Sequence, residues 1–165
     1  MLDLAVAGDP DLRVDRRELF RQGPSFTVDT LGQLRGELGP SAAIVWVLGL
    51  DSLAQLDSWH EWRRIFELAH VLGVERPGTA VDPAWLQRCA PAVHAEVLPR
   101  WRQTAELAKH PCGYYSPLPI HPLRLESATE VRRRIAAGEP WSDLVPAAVA
   151  GYIRDAGLYR PVQTL

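Results

Sequence analysis

The sequence predicts an α/β fold, a parallel sheet with helices on both faces, and three observations predict it. Residues 43–48 (Ala43-Ile44-Val45-Trp46-Val47-Leu48) form an unbroken apolar or small run closed by Gly49 and then Asp51. That is the pattern of a buried parallel strand whose C-terminal end opens into a ligand crevice. Strand-like and helix-like segments alternate along the chain, as connections in a parallel sheet require. Far downstream, Ser127 followed three residues later by Glu130 reads as a capping box. It predicts a helix whose N-terminal N–H groups and positive dipole end, with Arg132 nearby, suit a phosphate.

Each element follows from local pattern. Residues 1–7 resemble the last turns of an amphipathic helix stopped by Gly8-Asp9-Pro10. Residues 12–15 are a short strand candidate, and Gly23-Pro24 turns the chain into a helix whose Leu31, Leu34 and Leu38 share a face until Gly39-Pro40. After the strand at 43–48, Trp62, Ile65, Phe66 and Ala69 keep helical spacing. Residues 70–74 read as a strand ended by Glu75-Arg76-Pro77-Gly78, and residues 83–90 as a short helix. The five prolines in 91–121 predict an irregular connection with a helix around 101–108, and 123–125 is the last strand candidate. Two amphipathic helices close the chain, at 129–137 and 146–156, each stopped by glycine.

Composition narrows the function. The length of 165 residues fits one domain, expected to span 1–165. With 18 basic against 20 acidic side chains the formal charge is −2, which gives no field for a polyanion and argues against nucleic acid as a partner. A phosphate must be held locally. Lys109 is the only lysine, and arginine's fork suits phosphate, although a GC-rich coding bias produces the same skew. Cys89 and Cys112 match no metal knuckle, redox pair or disulfide framework, so a reduced cytoplasmic protein is expected. No run approaches the roughly 18 apolar residues of a membrane span, so no membrane partner is expected.

Each motif has a bland alternative. Asp51 could cap the helix after its strand, and Ser127 to Arg132 could be an ordinary helix start with a solvated arginine face. Trp59 could stack on a planar heterocycle or fill the core. The five histidines, His60 among them, show neither metal-ligand spacing nor an HxGH pair. GxGxxG, GxxxxGK[ST] and GxSxG are absent from the sequence.

Taken in order, Ser25 to Leu31 (SFTVDTL), Leu48 to Trp59 (LGLDSLAQLDSW), Glu75-Arg76-Pro77-Gly78, Ser127 to Arg132 (SATEVR), Leu144-Val145-Pro146 and Gly157-Leu158-Tyr159 resemble bacterial nicotinate-nucleotide adenylyltransferases. The resemblance covers nearly the whole chain. It implies a Rossmann-like nucleotidyltransferase fold, ATP and nicotinate mononucleotide as substrates, Mg²⁺ accompanying the ATP with no dedicated protein ligands, and nicotinate adenine dinucleotide and pyrophosphate as products. By position it implies that Thr27, Trp59 and His60 hold the nicotinate, with Trp59 stacking on it, and that Arg76 lies near the mononucleotide phosphate. Gly49 and Asp51 would lie near the adenosine, and Ser127, Thr129 and Arg132 around the ATP phosphates.

Two departures qualify it. The last motif usually begins Ile-Ser-Ser-Thr and here reads Glu126-Ser127-Ala128-Thr129. The HxGH pair that faces the transferred phosphate has no counterpart, so the expectation is a chain lacking the N-terminal βαβ portion, with no catalytic residue of its own and inactive alone. A non-catalytic nucleotide-binding or interaction module, and an adenylyltransferase for another acceptor such as pantetheine phosphate, remain as alternatives. Oligomeric state is not readable.

Overall fold

The computed structural model describes residues 1–80, 82–123 and 126–160. They fall into two compact units, one of Arg17–Arg124 and one joining Met1–Arg16 to Leu125–Leu165.

The larger unit is built on three parallel strands, β1 (Val45–Gly49), β2 (His70–Val74) and β3 (Tyr115–Leu118), in the order β1-β2-β3. Helix α2 (Thr27–Leu38) precedes the sheet, after the short α1 (Leu2–Val6) of the other unit. Helices α3 (Leu50–Leu53) and α4 (Ile65–Leu68) connect β1 to β2. The β2-to-β3 crossover carries α5 (Pro83–Cys89), α6 (Pro91–Val97) and α7 (Thr104–Leu107). Trp46 pairs with Val71 and Val71 with Tyr115, so these three share one sheet face. That face is the core side, where Leu48, Val71 and Tyr115 pack with Leu31, Leu53, Leu56, Ile65, Phe66, Val93 and Val97. Burial of the Tyr115 phenol pushes its pKa up, so it stays neutral there.

The opposite face is covered unevenly. At β3 the hydroxyl of buried Ser116 lies 2.9 Å from that of Thr104 in α7, whereas Val45 and Val47 on β1 are 38% and 56% exposed. The fully buried strand expected at 43–48 is therefore corrected to an edge strand, shifted to 45–49 and buried only on alternate residues. An edge strand has one neighbour, and this face lacks the cover that an unbroken apolar run implies.

The amino-terminal sides of all three strands meet on one side chain. Arg35 of α2 donates to the carbonyls of Ala42, just before β1, at 2.5 Å, of Leu68, before β2, at 2.6 Å, and of Pro111, before β3, at 2.8 Å. A guanidinium can do this because its donors lie in a fixed fork. Buried His70 adds a second link: its Nε2 lies 2.8 Å from the His110 carbonyl, and its Nδ1 accepts the Tyr114 N–H at 3.1 Å. Accepting at Nδ1 fixes the neutral tautomer with the proton on Nε2, and burial pushes the pKa down.

Other expectations meet the structure unevenly. Residues 12–15 form no strand. The irregular connection at 91–121 contains α6, α7 and β3, because Pro91 opens a helix at its first position and Pro117 sits in an edge strand, the two places where a missing N–H costs least. Trp101, expected in a helix, instead bridges Tyr115. The strand candidate at 123–125 is not found at Leu123, which is irregular, and otherwise lies outside the described residues.

In the smaller unit, α1 packs with α9 (Ala147–Asp155), and Val131 of α8 (Ala128–Ala137), Val149, Ala150 and Ile153 are buried. Gly138, at φ 69°, ends α8 with its N–H on the Ile135 carbonyl. Among the described residues no helix is long and apolar enough to cross a membrane.

Candidate nucleotide-binding site

One group of expected site residues, Gly49, Asp51 and Arg76, lies at the carboxyl ends of β1 and β2. Gly49 closes β1 and Arg76 follows β2 by two residues. They are close: a Cβ at Gly49 would overlap the Asp51 carboxylate and sit 2.7 Å from Arg76 Cδ. Gly49 has φ −69°, open to any residue, so glycine is needed for room and not for conformation. Asp51 is not the N-cap of α3, which is Gly49; it lies in the first turn of that helix. Arg76 and Asp51 flank the same glycine, yet neither belongs to an ion pair among the described residues.

The second group meets through a contact absent from the sequence reading. Phe26 precedes Thr27 at the start of α2, and its ring lies 4.3 Å from that of His60. This brings the chain at Thr27 alongside the chain at Trp59. Trp59 is partly buried and packs against the core.

The third group, Ser127, Thr129 and Arg132, lies in the smaller unit. Ser127 Oγ accepts the Glu130 N–H at 3.1 Å, leaving its own O–H to donate. The reciprocal half of the capping box is not made. The Glu130 carboxylate turns to Arg133 and Arg134 at 2.9 and 2.7 Å, and these arginines hold it down at about 2. Arg133 also bonds Glu139 at 2.7 Å. Of the three consecutive arginines, Arg132 alone has no carboxylate partner among the described residues; it donates to the Thr129 hydroxyl at 3.4 Å. Ser127 and Arg132 line a cavity of about 280 Å³, with Val131, Leu144 and Val149 among its apolar walls.

Among the described residues no three His, Cys, Asp or Glu side chains converge as a metal site.

A parallel sheet with helical crossovers, and with a close-packed glycine, a carboxylate and an arginine at its strand ends, is that of a Rossmann-like α/β protein. Residues 1–134 match the cytidylyltransferase-like family model. The fold is similar to that of Plasmodium falciparum nicotinic acid mononucleotide adenylyltransferase in complex with APC, at a TM-score of 0.57 and 19% identity over 84% of this chain and 60% of that one. The sequence is 46% identical to the probable nicotinate-nucleotide adenylyltransferase of Stenotrophomonas maltophilia and 44% identical to that of Chromobacterium violaceum, in each case over 97% of this chain and 72% of the relative. The chain belongs to the nicotinate-nucleotide adenylyltransferases, a family of transferases.

Proposed function

We propose that this chain binds nicotinate mononucleotide and ATP as the two substrates of adenylyl transfer in NAD biosynthesis. In the reaction an oxygen of the mononucleotide phosphate attacks the α-phosphorus of ATP. The bond from that phosphorus to the bridging oxygen breaks, and pyrophosphate leaves with the electron pair. Thr27, Trp59 and His60 take the nicotinate, Arg76 the mononucleotide phosphate, Gly49 and Asp51 the adenosine, and Ser127, Thr129 and Arg132 the ATP phosphates. Magnesium, arriving with ATP, would supply further neutralisation of phosphate charge beside Ser127, Thr129 and Arg132. The chain's own part is to orient two nucleotides and supply N–H groups and guanidinium charge, which is where such reactions gain most.

The observation that carries the acceptor assignment is the Phe26–His60 ring contact, which draws two segments separated by more than a helix and a strand to one place. Titration calorimetry of Trp59→Ala against the unaltered chain tests it. Nicotinate mononucleotide is expected to bind more weakly by about 1–3 kcal/mol, the worth of a stacked ring, with ATP affinity retained. Equal losses for both ligands overturn the assignment.

A further inference from the structure

The segment that carries Arg76 is closed by one hydroxyl. Thr79 Oγ accepts the Arg76 N–H at 2.9 Å and donates to the Arg76 carbonyl at 2.8 Å. The Thr79 N–H donates to that same carbonyl at 3.0 Å. Pro77 and Gly78 fill the two central positions, with Gly78 at φ 84°, the arrangement of a type II turn in which glycine is required third. Both backbone polar groups of Arg76 are thus held by a side chain three residues away, and the direction in which the arginine leaves the backbone is set. It leaves across Gly49, beside Asp51 and unpaired with it.

We propose that Thr79 is a positioning residue for the acceptor phosphate. An arginine has several rotatable bonds and, on an exposed turn, loses that freedom on binding. Asp51, which flanks the same glycine, is a carboxylate close enough to compensate it. An Arg76 free to pivot at its Cα settles on that carboxylate, and a guanidinium so paired is neutralised for a phosphate. The Thr79 hydroxyl keeps the backbone from pivoting and so keeps the charge available. Valine has the same shape without the hydroxyl and removes both bonds; serine restores them. The inference rests on Arg76 facing the mononucleotide phosphate, so its test separates the two.

The experiment is calorimetric titration of the chain and its Thr79→Val, Thr79→Ser and Arg76→Ala variants with nicotinate mononucleotide and with nicotinate riboside, which has the same ring and ribose but no phosphate. Thermal unfolding is followed in parallel. Thr79→Val is expected to bind the mononucleotide about tenfold more weakly and the riboside unchanged, with Thr79→Ser close to the unaltered chain. Arg76→Ala loses the mononucleotide preference as well. If Arg76→Ala is impaired and Thr79→Val binds normally, the role of Thr79 is overturned while that of Arg76 stands. If Thr79→Val weakens both ligands alike, Thr79 is merely structural, and the proposal fails. Should Arg76→Ala retain full preference for the phosphorylated ligand, the reading of Arg76 falls and takes the inference with it. If Thr79→Val unfolds, Thr79→Ala, which also lacks the hydroxyl, takes its place: weaker binding of the mononucleotide with the riboside unchanged supports positioning, and equal losses for both ligands or no loss overturn it.

Discussion

Arg76 Cδ lies 2.7 Å from the point where a side chain on Gly49 would begin, so the end of β1 is shaped by an arginine that belongs to the end of β2. Gly49→Ala meets only the far parts of two surface side chains, which can swing away, and its backbone angles suit alanine. Stability should change by less than about 1 kcal/mol, while nucleotide affinity falls about tenfold because Arg76 and Asp51 are both displaced. Chemical denaturation together with ligand titration checks this, and a large stability loss at unchanged affinity would refute it.

The three arginines of α8 divide by partner. Arg133 and Arg134 are engaged by Glu130 and Glu139, and Arg132 is not. Arg132→Ala is expected to weaken ATP roughly ten- to hundredfold, the range for a lost charge-assisted bond, at an unchanged melting temperature. Arg133→Ala should do the reverse, lowering the melting temperature slightly with ATP affinity retained. Swapped outcomes would make Arg133 the ligand.

His70 makes stability depend on pH. Its folded pKa lies below the ordinary value near 6.5 because burial disfavours the imidazolium. Between the lowered value and about 6.5 the unfolded chain holds the extra proton, so stability is complete above about 6.5 and falls as the pH drops through the folded pKa. Urea midpoints measured from about pH 8 to pH 5 should decline over that window, and His70→Asn, though less stable throughout, should show a flatter slope. Parallel slopes would assign the decline to other groups.

Arg35→Ala removes the donors from carbonyls ahead of all three strands. Part-buried carbonyls left without donors predict a loss of about 2–4 kcal/mol, read from urea unfolding, with Arg35→Lys intermediate because an ammonium cannot span the same fork. A neutral Arg35→Ala would mean that water replaces the guanidinium.

Much of the fold was legible because its cues are local. The Leu31, Leu34, Leu38 spacing, the apolar stretch at 70–74 and Ser127 before Val131 each report a pattern within one element, and α2, β2 and α8 stand where those patterns lie. What failed was local evidence outweighed from a distance. Pro117 argues against a strand until β3 is known to be an edge. Glu130 suits a capping box until Arg133 and Arg134, three and four residues on, offer it opposite charge. In the site, Gly49 was legible as a residue but only part of its reason was local, since the crowding comes both from Asp51, two positions on, and from Arg76, 27 positions later. Thr79 and Phe26 were missed. The Pro77-Gly78 pair followed by threonine is a signal that could have found the first, whereas nothing before the structure links Phe26 to His60.

The brace made by Arg35 has a consequence for how such a protein can change over generations. It ties the sheet together from the amino-terminal side, away from the glycine, the carboxylate and the arginine at the opposite ends of the strands. Replacements among the side chains proposed to face the nucleotides therefore remove no bond from the brace, so the binding end of the sheet can be altered while the scaffold that carries it stays intact.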